Sequence, residues 1–351
     1  MLGVQHLRFL NLFQKKFLMN KSHDSAVPFV WTEIGRKPGK YVINAIKINA
    51  ELFPNSSRYL VLNKDFGKGI EVEQCQVVYE EDLLETENSK AFKEQPKEWK
   101  WSQPNYWTNT TKRFFVLEQF MITHSYKQLI HLESDTILLE DAFVSNLFKQ
   151  ENWGVKFTKQ DSNRGCASIF LINSLERLQK FNVFIVSNWS DSEQTDMTLL
   201  SKFHKNIDSD SYLPSGDLVE SNTVFDAGTV GRYFLGGDAR NHRFPLSRRG
   251  LNSSGKEFFD PTEFRIVTVG SSVFLENSFG KRLSLSCVHI HSKRIPKKFS
   301  ALLKTLVRES NSKRGFFWRA GSLDIEVVKE RLESFLRRRL LRDNISDPRY
   351  R

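Results

Sequence analysis

Between residues 27 and 79, short apolar runs alternate with one stretch of helical periodicity, and this spacing constrains the fold more than any other feature. Val27–Trp31 reads as a buried strand, Pro38-Gly39 breaks the chain, and Tyr41 to Leu52 carries Val42, Ala45, Ile46, Ile48 and Ala50 at helical spacing. Strands return at Tyr59–Leu62 and Gln76–Tyr79. Strand, helix, strand at this spacing is the signature of a parallel α/β sheet. Residues 80–105 are polar and acidic and read as a loop. Arg113–His124 reads as a helix leading into a strand at Leu129–Leu132, with a further strand at Ala167–Ile172. Helices are expected over Ser174–Phe181 and Glu193–Phe203, with short strands around Phe264–Val269.

Charge divides the chain. The formal net charge is +11, of which +10 lies from Lys293 to Arg351 and +4 in the first 23 residues, so the body between is near −3. The expected organisation is a basic amphipathic segment over 1–23, a catalytic α/β domain over 24–293 and a basic helical extension over 294–351. In the last, Val327, Val328, Leu332, Phe335, Leu336 and Leu340 share a helix with Arg331, Arg337, Arg338, Arg339 and Arg342. Such a helix suits an anionic membrane surface. No apolar run approaches the roughly 20 residues of a membrane-spanning helix. Three scattered cysteines form neither a disulfide framework nor a zinc knuckle, which agrees with a reducing compartment. A cytoplasmic protein, peripheral at the inner face of the membrane, is expected. A basic nucleic-acid-binding protein is the non-enzymatic alternative. The charge is not interleaved with aromatics on the expected sheet, and no reading motif is present, so no nucleic acid is expected as partner.

The chemistry centres on Glu133-Ser134-Asp135, at the end of the apolar strand Leu129–Leu132 and before the apolar Ile137–Leu139. Acid-x-acid triplets occur elsewhere in the chain, but this one is forced to the edge of a buried sheet, where open α/β folds bind ligands. Two carboxylates there repel unless a cation lies between them or one is protonated. Hard oxygen ligands at such an edge suit Mg²⁺ or Mn²⁺ clamping a diphosphate. Downstream, Gly165-Cys166-Ala167-Ser168 puts small residues before a buried strand, which lets a bulky ligand approach the backbone. Glu193–Leu200 opens a helix with acids in its first turn. Cys287–Lys293 reads as a strand with His289 and His291 on one face, followed by Ser292 and Lys293.

This ordered set resembles the nucleotide-sugar-dependent glycosyltransferases of the GT-A fold, over roughly Val27 to Lys293, and in its order the glycogenin and bacterial lipooligosaccharide galactosyltransferase group. The first acid is Glu where that group has Asp, and its full closing Gly, Lys and Pro-Trp pattern is absent here. The resemblance implies a GT-A-like, Rossmann-like mixed sheet, mainly parallel and flanked by helices. It implies Glu133, Asp135 and His291 as metal ligands, and Lys293 on the diphosphate. Ser134 and Ser168 belong on its terms to the donor site, as do Trp31 and Thr32, which end the first strand. Asp196 is the first candidate for the acid at the reacting centre, with Glu193 and Asp226 behind it. Gly236, Gly237 and Asp238 lie in a tight polar loop suited to hydroxyl recognition. The implied partners are a nucleoside-diphosphate sugar, a UDP-sugar favoured, and a glycan or lipid-linked acceptor in polysaccharide biosynthesis. A sugar nucleotidyltransferase is the alternative within the fold class, with Gly35-Arg36-Lys37-Pro38-Gly39 as a faint echo of its phosphate loop. The aromatic set Trp99, Trp101, Tyr106 and Trp107 has packing as its first role and stacking on a sugar or base as its second.

Overall fold

The computed structural model describes residues 27–95, 104–140, 142–150, 153–190, 194–214, 222–236, 261–270 and 272–311. The expected N-terminal segment and the basic end of the C-terminal extension lie outside the described residues. The strands are β1 (Phe29–Glu33), β2 (Arg58–Leu62), β3 (Gln76–Tyr79), β4 (Leu129–Leu132), β5 (Thr136–Leu138), β6 (Val155–Asp161), β7 (Arg164–Ile172), β8 (Thr223–Phe225), β9 (Phe264–Val269), β10 (Ser272–Asn277) and β11 (Arg282–His289). Six of them form a mostly parallel sheet in the order β3-β2-β1-β4-β7-β6. β1 runs parallel to β2 and β4, and β2 parallel to β3, while β7 is antiparallel to both β4 and β6.

Alternation along these strands sends side chains to two apolar layers. Val30, Val61, Leu129, Phe170 and Ile172 face one layer, and Phe29, Trp31, Leu60, Leu62, Ile130, Leu132, Ile169 and Leu171 face the other. A sheet buried on both faces reads as a continuous apolar run, which is why these strands stand out in the sequence. The first layer is closed chiefly by the helices α4 (Pro104–His124), α6 (Leu175–Asn188) and α7 (Asp196–Asn206). The second is closed by α1 (Lys40–Leu52), which follows α/β logic by crossing between β1 and β2. Helix α1 serves both sheets: Val42 and Ile46 pack on the first, Ala45 and Ile48 on the second.

The second sheet has the order β5-β11-β10-β9, with β8 pairing parallel to β11. Its other pairs are antiparallel. Its core includes Ile266, Leu275 and Leu285, together with Val230 and Phe234 of α8 (Thr229–Leu235). Ile295 and the residues Phe299, Leu302 and Leu306 of α9 (Phe299–Asn311) are buried in the same core. Packing therefore continues across the boundary expected at 293/294, because these four apolar side chains complete the second sheet.

The polar stretch 80–105 holds a helix that its composition hides, α3 (Glu87–Glu94). Thr86 caps it by accepting the Ser89 N–H, and Phe92 stacks on Phe115 and tilts against Trp189. The two short remaining helices are α2 (Lys64–Gly67) and α5 (Ala142–Phe148). Among the described residues no helix is long and apolar enough to cross a membrane.

Candidate active site

β4 ends the parallel run of the first sheet and β5 begins in the second, so Glu133-Ser134-Asp135 is the crossing between them. Its backbone is pinned on three sides. The Glu133 N–H donates to the Ser168 carbonyl (2.9 Å), the Thr136 N–H to the Glu133 carbonyl (2.9 Å), and the Ile290 N–H to the Asp135 carbonyl (2.7 Å). Both acids therefore project where strands from two sheets stop, at the C-terminal end of the parallel strands.

A largely buried chain of alternating charges runs through them. Arg113 of α4 donates through Nη1 to Glu133 Oε1 and through Nη2 to Asp196 Oδ2, each at 2.5 Å. The second oxygen of Glu133 lies 3.2 Å from His289 Nε2, which is also 3.1 Å from Asp135 Oδ1. The other Asp135 oxygen faces Lys293 Nζ at 3.6 Å. Lys293 sits over the Tyr41 ring at 4.8 Å, and its φ of 58° is a left-handed conformation that glycine favours. Such a residue holds about 1–3 kcal/mol of strain, and here the turn brings its ammonium back to Asp135.

Burial alone would lift the Asp135 carboxyl, but His289 and then Lys293 hold it well below the usual range. Burial would likewise push His289 down, yet Asp135 holds it well above an ordinary imidazole. Glu133 is lowered, with Arg113 and His289 outweighing burial and the Asp135 charge. Asp196 goes the other way: burial raises it, Arg113 opposes, and Glu133 adds to the rise. Its Oδ1 is buried without a hydrogen-bond partner. It stands in the first turn of α7, whose N-terminus is closed by a reciprocal Thr195–Thr198 capping box.

The imidazole that reaches the acids is His289. β11 ends there, and His291 lies beyond it, its ring tilted against that of His289 with centroids 4.1 Å apart. The His291 Nε2 is buried without a partner. The donors thus fit a divalent cation. Two carboxylate oxygens flank one imidazole nitrogen, a second imidazole nitrogen lies unsatisfied beside them, and a divalent cation there would offset the charge of both acids.

The other sequence candidates fall in several places. Asp226 is 2% exposed, and its carboxylate accepts four backbone N–H groups, from Gly228 (2.8 Å), Val230 (2.9 Å), Gly231 (2.8 Å) and His289 (3.0 Å). That geometry makes it the tie between α8 and β11 rather than a base. Two glycines permit the tie: a Cβ at Gly231 would lie 1.9 Å from the His289 carbonyl oxygen, and one at Gly228 2.2 Å from His291 Nε2. Trp31 corrects the expectation of a donor-site residue at the end of the first strand. It is fully buried in the core, edge-on to Phe29, because alternation along β1 points it inward. Thr32 is half-buried, and Ser134 is buried in the acidic turn. Ser168 is fully buried; its hydroxyl lies 3.0 Å from that of Thr158 and donates to the Asp226 carbonyl at 3.2 Å. Gly165 gives room to a helix rather than to a ligand, since a Cβ there would meet Leu200 of α7 at 2.7 Å.

Gly236 ends α8 with a φ of 82° and open space around it. Glu193, Gly237 and Asp238, with Trp99 and Trp101, lie outside the described residues. Tyr106 is half-exposed and edge-on to Trp107, seven residues before Arg113 on the same helix. The Gly35–Gly39 loop presents no phosphate cradle: the Gly35 N–H donates to Asn63 Oδ1, and Arg36 is bidentate on Glu33. A cavity of about 500 Å³ lies at the opposite end of β4, lined by Met121, Tyr126 and Leu175 among others, away from the charged cluster.

No family model and no curated protein sequence matches this chain. Solved structures of glycosyltransferases do resemble it in backbone. The bifunctional glycosyltransferase WbbM in its apo form matches at 12% identity and a TM-score of 0.41, covering 89% of this chain and 53% of WbbM. The chain thus spans about half the length of that protein. Galactosyltransferase LgtC, in complex with donor and acceptor sugar analogs, matches at 11% identity and a TM-score of 0.40, covering 85% of this chain and 100% of LgtC. Mouse xyloside xylosyltransferase 1 matches at 9% identity and a TM-score of 0.35, over 54% of this chain and 86% of its own. These are likenesses of chain path, and what the protein does is read below from its own residues.

Proposed function

We propose that the protein is a metal-dependent glycosyltransferase that moves a sugar from a nucleoside-diphosphate sugar, a UDP-sugar favoured, to a hydroxyl of a glycan or lipid-linked acceptor. One observation carries this reading. Three carboxylates and three basic side chains form a single chain, buried but for the partly exposed Glu133 and Lys293, Asp196–Arg113–Glu133–His289–Asp135–Lys293, at the ligand-binding edge of an α/β sheet.

Glu133, Asp135 and His289 are the residues that would hold Mn²⁺ or Mg²⁺, with His291 behind them. A divalent cation bound there supplies electrostatic stabilisation of the charge that develops on the departing diphosphate. The protein's own groups do the rest. Lys293 contributes a fixed positive charge beside Asp135, positioned by its strained turn to meet diphosphate oxygens. Arg113 keeps Glu133 and Asp196 apart while neutralising both, which lets two acids share a dry site. Asp196, with Oδ2 held and Oδ1 unsatisfied, is the acid offered to the reacting sugar. The tie from Asp226 fixes the backbone of His289, so the imidazole is preorganised before any ligand arrives. The basic terminal segments belong in this reading to contact with an anionic membrane carrying the acceptor.

The test is release of nucleoside diphosphate from UDP-, GDP- and ADP-linked sugars, with Mn²⁺ and with a chelator, by wild type and Asp135→Ala. One donor should be turned over only with metal and only by wild type. Equal turnover by both proteins, or none from any donor, would refute the assignment.

A further inference from the structure

Cys166 lies against the charged cluster, and the proposed transfer does not use it. It sits in β7, 5% exposed, with Sγ 3.9 Å from His289 Nδ1. The thiol sulfur, a ring nitrogen of His289 and a carboxylate oxygen of Glu133 all lie within 4.8 Å of one another. His289 is therefore flanked by carboxylates on its Nε2 side and by a thiol on its Nδ1 side. A buried cysteine commonly acts as a small apolar side chain. Cys287 shows that case here: fully buried, its Sγ faces the Asp226 carbonyl at 3.9 Å. Cys166 differs in having an imidazole and a carboxylate at ligand spacing.

We infer that the centre has a second, thiophilic metal arrangement, Glu133–Cys166–His289, that takes Zn²⁺ or Co²⁺. One sulfur, one nitrogen and one oxygen are the donor types of a three-ligand zinc site, whereas an oxygen-rich set suits Mg²⁺ and Mn²⁺. The Glu133 side chain is 20% exposed, so the cluster opens to solvent on that side. On binding, the sulfur–metal bond forms and the thiol proton leaves to solvent, with no change of oxidation state. Glu133 and His289 serve both arrangements, so the two exclude each other, and zinc displaces the cation used for transfer. The inference rests on the cluster being a metal centre and does not depend on glycosyl transfer.

The experiment is titration of the full-length protein with Co²⁺, read by absorption. Wild type should develop a near-ultraviolet thiolate-to-cobalt charge-transfer band that saturates and is bleached by Zn²⁺. Cys166→Ser should lose the band, and Cys75→Ser should keep it. Absence of the band in wild type, or its persistence in Cys166→Ser, overturns the inference. Should Cys166→Ser not fold, alkylation of Cys166 in wild type, followed by peptide mass spectrometry, decides instead: Zn²⁺ should slow it, and equal rates overturn the inference. Nucleotide binding by wild type with Mn²⁺ is scored separately, so a cobalt band without nucleotide binding removes the transferase reading alone, and the reverse removes this one alone.

Discussion

The interior of the first sheet and its edge treat the same side chain in opposite ways. His131, in the middle of β4, is 1% exposed, and its Nδ1–H donates to the Val30 carbonyl at 2.9 Å. Burial, followed by the nearby Arg113 charge, pushes it down to about 3. His289, 4% exposed at the end of β11, is held well above an ordinary imidazole because the carboxylate of Asp135 outweighs burial. The interior tolerates a polar ring by keeping it neutral and satisfying one nitrogen. The edge keeps its groups charged by setting each beside an opposite charge. Such an arrangement is a poor route to stability, since a well-packed apolar replacement of a buried ion network is often as stable or more so.

The contrast can be broken most forcefully at Arg113. Arg113→Ala leaves Glu133 and Asp196 buried without their shared counter-charge and should destabilise the fold by about 3–5 kcal/mol in urea unfolding. The triple replacement Glu133→Leu, Arg113→Met and Asp196→Leu should recover most of that loss while abolishing any metal-dependent nucleotide response. If the single variant were as stable as wild type, the edge would not be a coupled charge network. Gly231→Ala comes next. Its Cβ would collide with the His289 carbonyl, for a loss of about 1–3 kcal/mol, and the displaced imidazole should weaken metal binding as well. In the interior, His131→Leu leaves the Val30 carbonyl without this donor, for about 1–3 kcal/mol, and should leave cobalt binding intact. Smallest is Asp82→Asn on the surface. It breaks the exposed ion pair with Lys64, and the melting temperature should not move measurably.

Much of the first sheet was legible because its strands are buried on both faces. β2, β3 and β4 lie where their apolar runs place them, and β1 is offset by two residues. The edge strand β6, Val155–Asp161, mixes Lys156, Thr158, Lys159 and Gln160 with its apolar positions, so it carried no such signal. The acidic pair was legible through position alone: apolar runs on both sides force it to an edge. That those runs belong to different sheets was not, since β5 is only three residues long and pairs with β11, far along the chain. The partners of the acids were hidden for the same reason. Arg113 lies 20 residues from Glu133 and 83 from Asp196, separations at which no local periodicity reports a contact. The spacing of the two histidines marks them as a pair, but the end of β11 at His289 decides which one faces the acids.

The proposed site of Glu133, Asp135 and His289 should take a nucleoside diphosphate only together with its metal. It is tested most directly by thermal unfolding of wild type and Asp135→Ala with UDP, GDP, ADP and CMP, each with and without Mn²⁺. A ligand at 100 times its dissociation constant stabilises a fold by about 2.7 kcal/mol, a shift readily seen. One nucleoside diphosphate should stabilise wild type only when Mn²⁺ is present, and Asp135→Ala should lose the response. A nucleotide response of equal size without metal, or retained in full by Asp135→Ala, would contradict the proposal.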